Sequence, residues 1–381
     1  MFRKIIEKSL WIKLYIFVYF LSLIYFKKYS IKEKILLKGK KYLNKCLKGK
    51  LNRKKYTNFL NPRVSIIIPI YNCQNSIQQT INSIQSQKMI DIEILLVNDK
   101  STDDSLKIIK NAQKLDKRIK LINNKKNMGT LYSRCIGVLE AKGNYIFPLD
   151  NDDMFFDDDV FDIVYEEAYN SNYDIVGFKA IRSNSYKVRI NQMKDDLFVH
   201  NNNFTIYSPK LRLFGISKKG RLNVSEVRIW SKCIKTSIYE KAVNLLGRKR
   251  YSLFISWAED TSMVFVLFNV AQSYRYITKY GIFKFERNNS ASYSMPKSHK
   301  LFGQIFFLNI IFDFSKNNFK SKKYIVYRAI FIRNDKFFFK SLNKINRKYL
   351  KLSLKKILLC PYIKNNDKIK LKIIIFFQIV L

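Results

Sequence analysis

Four apolar runs between residues 64 and 149 alternate with amphipathic stretches and predict an α/β core. VSIIIPI at 64–70 is continuously apolar, which is typical of a strand buried on both faces of a parallel sheet. Similar runs predict strands at 92–97, 119–122 and 145–149. A β-α-β-α-β-α-β order with short loops follows, so we expect a doubly wound, mostly parallel sheet with helices on both faces.

The segments between these runs carry helical patterns. Ile77, Ile81 and Ile84 recur on one helical face after the first strand. Ser101 or Thr102 is expected to cap a second helix. A third helix is expected over 130–141, after a turn that contains Gly129.

Polar residues follow the ends of these strands. Tyr71 follows the first strand, Asp99 the second, and Asp150, Asp152 and Asp153 the fourth. In open α/β sheets, ligands bind at the carboxyl ends of the strands. The clustered carboxylates repel one another unless water, a helix N-terminus or a cation holds them.

These strand-end residues allow two interpretations. In the first, Asp150 and Asp152 hold a divalent cation against the diphosphate of a nucleotide. In the second, they form an acidic turn in which Asp153 or a later aspartate caps the next helix. Other nucleotide motifs are excluded, since no GxGxxG follows the first strand and the residues after Gly220 do not complete a P-loop.

Composition restricts the partners and the chemistry. The chain of 381 residues has a formal charge of +42, which attracts polyanions. Lysine is scattered along the chain, and no basic recognition helix or aromatic RNA-binding strand occurs, so we predict no specific nucleic-acid partner. The five cysteines form no CxxC pair, and His200 and His299 are the only histidines. Acid–base chemistry is therefore expected from carboxylates.

The N-terminal segment differs from the rest of the chain. Residues 10–26 are apolar and aromatic, and they predict a single membrane anchor. A signal peptide or a helix lying in the membrane interface are the alternatives. The Lys-rich flank that follows favours a cytosolic catalytic side, although a lumenal side stays open.

Four ordered segments resemble family 2 glycosyltransferases, which have the GT-A fold. They are VSIIIPIYN, EILLVNDKSTDDS, NMGTLYSRCIG and GNYIFPLDNDD. Two later segments, IWSKCIKTSIYEKAV and WAEDTSMVF, support the resemblance, which covers 62–294. We therefore divide the chain into an anchor with a basic linker (1–61), a GT-A domain (62–295) and a basic, aromatic, helical C-terminal region (296–381).

The resemblance implies roles on the donor side of the site. Tyr71 corresponds to the residue that stacks on the nucleobase, and Asp99 to the carboxylate that accepts a hydrogen bond from it. Arg134 corresponds to a basic residue near the base and phosphates. Asp150 and Asp152 correspond to an acid-x-acid pair that binds Mn²⁺ or Mg²⁺, with Asp152 nearer to the metal and Asp150 also supporting the ribose.

The resemblance also implies an acceptor side. Asp260 corresponds to the general base that deprotonates the acceptor hydroxyl, and Glu259 is its neighbour in the ED pair. The alternative is an acidic cap at a helix N-terminus. Trp230 belongs either to the acceptor side or to the core.

The implied reaction is inverting transfer of a sugar from a nucleotide-diphosphate donor, with a UDP-sugar favoured. The acceptor is expected to be a hydroxyl of a glycan or of a lipid-linked glycan. No QxxRW motif occurs, so we expect a non-processive enzyme. The alternative is a catalytically inactive, membrane-bound protein of the same fold that binds a nucleotide-sugar or a glycan.

Overall fold

The computed structural model describes most of the region that carries these motifs. Its described residues are 31–49, 60–183, 194–195, 202–207, 215–216, 222–223, 228–255, 257–285 and 297–314. The predicted anchor at 10–26 and the chain after 314 lie outside them. Among the helices in these ranges, none has both the length and the apolar character that crossing a membrane requires.

The first half of the domain has the predicted order of elements. After helix α1 (31–47) come β1 (Val64–Ile70), α2 (Ile77–Gln85), β2 (Ile92–Asn98), α3 (Ser105–Leu115), β3 (Ile119–Asn123), α4 (Thr130–Leu139) and β4 (Tyr145–Pro148). Strand β1 pairs in parallel with β2 and β4, and β2 pairs in parallel with β3. The strand ends differ from the predicted ones by one residue at most.

The second half contains several short strands. Its elements are β5 (Met154–Phe155), α5 (Val160–Asn170), β6 (Ile175–Ser183), β7 (Lys194–Asp195), β8 (Phe204–Tyr207), β9 (Gly215–Ile216), β10 (Leu222–Asn223), β11 (Lys232–Lys235), α6 (Thr236–Leu246), α7 (Arg248–Tyr251), α8 (Glu259–Val270), β12 (Ser273–Phe285) and α9 (Lys297–Phe314).

The main sheet is mixed rather than mostly parallel. Its order is β3-β2-β1-β4-β11-β6-β12-β5, with β7 added to β6 and β8 added to β12. Strand β11 runs antiparallel to both β4 and β6, whereas β12 is parallel to β6. Antiparallel pairs need no crossover helix, and no helix is described between β6 and β11. Parallel pairing therefore holds for the first four strands and for β6 with β12, and the other pairs of this sheet are antiparallel.

Helices cover both faces of the sheet, as predicted. Ile67 of β1 packs in the cluster that contains residues of α4, α6, α8 and α9. Ile66 and Ile68 pack in the opposite cluster, with residues of α2, α3 and α5. Each fully buried isoleucine contributes about 1.5–3 kcal/mol of transfer free energy. Burial on both faces explains why β1 is apolar at successive positions.

Helix α1 packs against the domain. Leu36 and Leu43 are buried in a cluster with Phe156 and Phe283. Gly39 lies against the Phe156 ring, where an added Cβ would come within 2.1 Å of a ring carbon. Part of the segment that we predicted as a linker is therefore a helix in close contact with the sheet.

Helix α9 packs against α8 in the core. Phe302, Ile305 and Phe306 are buried in the same cluster as Met263 and Phe265 of α8. Gly303 lies against the turn before α8, where an added Cβ would come within 2.0 Å of the Trp257 carbonyl oxygen. The first part of the predicted C-terminal region therefore supports the turn that precedes Glu259.

Candidate active site

Parallel strands bring three predicted site residues to one edge of the sheet. Tyr71 follows β1, Asp99 follows β2 and Asp150 lies just after β4, and β1 is the neighbour of both other strands. The backbone N–H of Asp99 donates to the carbonyl of Ile70 at 2.8 Å. The side chain of Asn151 donates to the carbonyl of Pro69 at 3.1 Å. The three turns are therefore directly connected.

Left-handed backbone marks the turns at the site. Asn72 (φ 45°) follows Tyr71, Lys100 (φ 63°) follows Asp99, and Ala258 (φ 58°) precedes Glu259. For an L-residue such as alanine this conformation costs about 1–2 kcal/mol. Strained backbone of this kind concentrates at functional sites, where the surrounding structure holds it in place.

Tyr71 presents its ring at this edge, with 46% of the residue exposed. Its turn is held from the next loop, because Asn72 Oδ1 accepts a hydrogen bond from the N–H of Thr102 at 2.8 Å. Ser101 Oγ in turn accepts from the N–H of Asn72 at 3.2 Å. The prediction that one of these hydroxyl residues caps α3 is wrong, since the helix begins at Ser105 and both residues bind the Tyr71 turn instead.

Asp99 is buried and holds the turn that begins α4. Its Oδ1 accepts from the N–H of Met128 and from the amide of Asn124, both at 2.8 Å. Its Oδ2 accepts from the N–H of Gly129 at 2.7 Å, and Gly129 has φ 89°, a conformation that favours glycine. A carboxylate oxygen accepts two hydrogen bonds, so Oδ2 keeps capacity for a nucleobase.

Arg134 connects the donor side with the ED pair. Its side chain is 1% exposed, its Nη2 donates to Asp150 Oδ1 at 2.9 Å, and its Nη1 donates to Asp260 Oδ1 at 2.6 Å. Burial lowers the pKa of Arg134, but the charges of Asp260 and Asp150 outweigh that effect and raise it. The neighbouring Cys135 is buried in the core.

The acidic turn is held by its backbone. The Thr80 hydroxyl donates to the carbonyl oxygens of Asn151 at 3.1 Å and Asp153 at 2.9 Å. Asp150 and Asp152 are half-buried, whereas Asp153 is fully buried. The N-cap residue of α5 is Asp159, whose side chain makes no capping hydrogen bond. The capping interpretation of this turn therefore finds no support in its contacts.

Lys284 of β12 is a charged neighbour that our sequence analysis missed. Its Nζ lies 3.7 Å from Asp153 Oδ2 and 4.6 Å from the centroid of the Trp230 ring. Burial lowers the pKa of Lys284, but Asp153, Asp150 and Asp152 more than offset this and raise it. The sequence signal that could have indicated Lys284 is a single lysine within the otherwise apolar end of β12.

Glu259 and Asp260 form the first turn of α8, where the helix dipole favours negative charge. Burial, assisted by the charge of Asp260, raises the pKa of Glu259 to about 7. Burial also raises the pKa of Asp260, although the charge of Arg134 opposes the shift. A raised pKa gives the Asp260 carboxylate a higher proton affinity, which suits general-base catalysis.

The carboxylates of Asp150 and Asp152 fit a divalent cation. Both provide the hard oxygen ligands that Mg²⁺ and Mn²⁺ prefer. Arg134 donates to Oδ1 of Asp150, and Asp150 together with Asp152 would hold the cation.

A second acidic cluster lies a few residues further along the chain. Its three members have carboxylate oxygens within 4.8 Å of one another: Asp157, Asp158 and Asp159. Lys38 and Lys279 pair with both Asp157 and Asp159, and Lys88 pairs with Asp158. These lysines compete with a metal for the same oxygens.

Comparison with known proteins agrees with this geometry. Residues 65–224 match glycosyl transferase family 2. An uncharacterized glycosyltransferase of Haemophilus influenzae is 42% identical over 97 residues, which are 26% of this chain and 39% of that protein. The uncharacterized glycosyltransferase EpsJ of Bacillus subtilis is 40% identical over 116 residues, 30% of this chain and 33% of that protein.

A solved structure shares the fold. The crystal structure of S. aureus TarS 1-349 in complex with UDP-GlcNAc superimposes with a TM-score of 0.55 at 16% identity, covering 78% of this chain and 81% of that one. The residues that match the family include β2, β3, β4 and all of β1 except Val64, with their strand-end carboxylates. The chain therefore contains a family 2 glycosyltransferase domain with the GT-A fold.

Proposed function

We propose that this chain is an inverting, non-processive glycosyltransferase. It moves a sugar from a nucleoside-diphosphate donor to a hydroxyl of a glycan or of a lipid-linked acceptor. The observation that carries the proposal is the bridge from Asp150 through Arg134 to Asp260. The bridge holds Asp150, on the side of the leaving diphosphate, and the candidate base Asp260 in one site. A single displacement requires both groups to act on the same substrate carbon.

The donor side is formed by the strand-end residues. The exposed ring of Tyr71 stacks on the base, and base–aromatic stacking contributes about 1–3 kcal/mol. Asp99 accepts a hydrogen bond from the base edge. Asp150 and Asp152 would hold Mn²⁺ or Mg²⁺, which supplies Lewis-acid stabilisation of the departing diphosphate. The UDP-GlcNAc complex of TarS supports UDP as the nucleotide.

The acceptor side is formed by the start of α8. Asp260 removes the proton from the acceptor hydroxyl as its oxygen forms a bond to the anomeric carbon. The bond from that carbon to the phosphate oxygen breaks on the opposite face, so the configuration inverts and the nucleoside diphosphate leaves. Arg134 orients Asp260 for this proton transfer. The predicted anchor would keep the domain beside a membrane-bound acceptor.

A panel of nucleotide-sugars, each offered with and without candidate acceptors in Mn²⁺, tests the proposal. We expect nucleoside diphosphate release to depend on the acceptor. Asp260→Asn should lower the transfer rate by about 10²–10⁴-fold while donor affinity stays unchanged and the variant stays folded.

Two outcomes would count against these assignments. Normal turnover by Asp260→Asn would refute the role of the base. Donor binding without transfer to any acceptor would favour the alternative of an inactive nucleotide-sugar-binding protein.

A further inference from the structure

We infer that Lys284 is a diphosphate-binding residue whose ammonium group contacts the phosphates of the donor. The inference rests on the proposed function and extends it, since it gives the site a positive charge that does not depend on a metal ion. Lys284 lies on a different element from every site residue that the sequence motifs indicated.

Strand pairing places Lys284 at the acidic turn. Strand β12 runs antiparallel to β5, with Phe283 opposite Met154. The next pair in this register is Lys284 and Asp153, which follows directly after Asp152. The backbone therefore holds the lysine beside the carboxylates at the end of β4.

The ammonium group of Lys284 has N–H donors that are available to a ligand. An ammonium carries three N–H donors. The 3.7 Å separation from Asp153 is an ion pair too long for a hydrogen bond, and within the described ranges Lys284 donates no other. The side chain is 34% exposed. Lys284 can therefore donate to an incoming anion without breaking an existing hydrogen bond.

Trp230 keeps the lysine in place. The Nζ of Lys284 lies 4.6 Å from the centre of the indole ring, and the guanidinium carbon of Arg228 lies 5.1 Å from that centre. The ring is 5% exposed and therefore fixed by packing. A lysine held against a buried ring loses little additional freedom when it binds a phosphate.

Charge balance indicates why the site needs this lysine. The negative charges of four aspartates act on Lys284: Asp150, Asp152, Asp153 and Asp260. Arg134 is shared by two of them. A divalent cation together with Arg134 and Lys284 matches the four negative charges. Without Lys284 the site stays net negative and repels a diphosphate, even with the metal bound.

The test compares nucleotide affinity in Lys284→Met and in wild type, in EDTA and in Mn²⁺, by isothermal titration calorimetry. Methionine keeps an unbranched side chain against Trp230 but removes the charge. We expect wild type to bind UDP more tightly than uridine in Mn²⁺, and the difference to be smaller in EDTA, where the site without a cation is net negative. Lys284→Met should weaken UDP binding at least tenfold in Mn²⁺ and leave uridine binding unchanged, and Lys284→Arg should retain UDP binding.

Lys279→Met is the matched control. Lys279 lies on the same strand but pairs with Asp157 and Asp159, so its loss should not change UDP affinity. Equal UDP affinity in wild type and Lys284→Met would overturn the inference.

Recovery of UDP affinity in the double variant Asp153→Asn with Lys284→Met would also overturn it, because Lys284 would then serve only to neutralise Asp153. If wild type binds none of UDP, GDP, ADP or CDP, the proposed function itself fails. These results are therefore distinguishable.

Discussion

Two acidic clusters, Asp150–Asp153 and Asp157–Asp159, lie close together in the chain and differ in their partners. The first is contacted by the buried Arg134 of α4 and by Lys284 of β12. The second is contacted by Lys38, Lys88 and Lys279, of which the first two are largely exposed. The first cluster shares its arginine with Asp260 of α8, whereas the second pairs with lysines of α1, of the loop after α2 and of β12.

The comparison shows that proximity of carboxylates does not by itself identify a catalytic site. Among the described residues, Asp157, Asp158 and Asp159 are the group of three whose carboxylate oxygens all lie within 4.8 Å of one another. Yet their lysine partners neutralise them, and the pairs that the exposed Lys38 and Lys88 form contribute only about 0–1 kcal/mol each. The first cluster is distinguished by the buried Arg134, which it shares with Asp260 of α8.

The largest effect is expected from the first cluster. Asp152→Ala should lower the transfer rate by about 10³-fold or more, because the carboxylate that would hold the cation against the leaving group is lost. Asp158→Ala is the matched control in the second cluster, and its rate should stay within about twofold of wild type, since surface charges outside the site contribute little. Initial rates with saturating donor measure both. Equal losses in the two variants would remove the functional distinction between the clusters.

Loss of the shared arginine should reduce stability as well as activity. Arg134→Met leaves Asp150 and Asp260 without their partner, and breaking a buried ion pair costs about 3–5 kcal/mol. We expect that decrease in the free energy of unfolding by urea denaturation. Unchanged stability would mean that the two carboxylates are well solvated without Arg134.

The pH dependence should distinguish the ED pair, Glu259 and Asp260, from the second cluster by its sign. The pKa of Glu259 is raised to about 7, so the transfer rate should rise between pH 6 and 8 as the ED pair ionises. Because this folded-state pKa is above the unfolded value, the pair's contribution to stability is present at low pH and is lost as the pH rises through about 7.

Asp159 in the second cluster should behave in the opposite way. Burial raises its pKa, but hydrogen bonds and charge from Lys279 and Lys38 outweigh burial and lower it to about 2. Its contribution to stability is therefore present above the unfolded pKa and is lost as the pH falls through about 2. Rate profiles of wild type and Glu259→Gln, with melting curves across pH, check both signs. If the rise of the transfer rate between pH 6 and 8 is unchanged in Glu259→Gln, this rise does not come from ionisation of the ED pair.

The smallest effect is expected where α1 meets the second cluster. Lys38→Met should destabilise the domain by about 1 kcal/mol or less, because Lys38 is largely exposed and its partners Asp157 and Asp159 keep Lys279. The transfer rate should not change. Thermal unfolding with a rate assay measures the variant, and a rate loss above tenfold would link α1 to catalysis.

The sequence by itself determined the first half of the fold and one edge of the site. The apolar runs of β1, β2 and β4 are local patterns, and parallel strands necessarily bring their carboxyl ends to one edge. Tyr71, Asp99 and Asp150 could therefore be predicted as neighbours from their positions after those strands. The same reasoning wrongly predicted a mostly parallel sheet beyond β4. The short strands from β7 to β11 are not separated by helical patterns, so the sequence does not indicate how they pair.

Only the tertiary structure decided which charges face one another. The contact of Arg134 with Asp260 joins residues 126 positions apart, and the contact of Lys284 with Asp153 depends on the antiparallel register of β12 and β5. Helix α1 likewise reads as a basic flank until its apolar face is seen against Phe156. Local periodicity reports which face of an element is buried, but pairs between distant elements are set by register and packing, which no local pattern encodes.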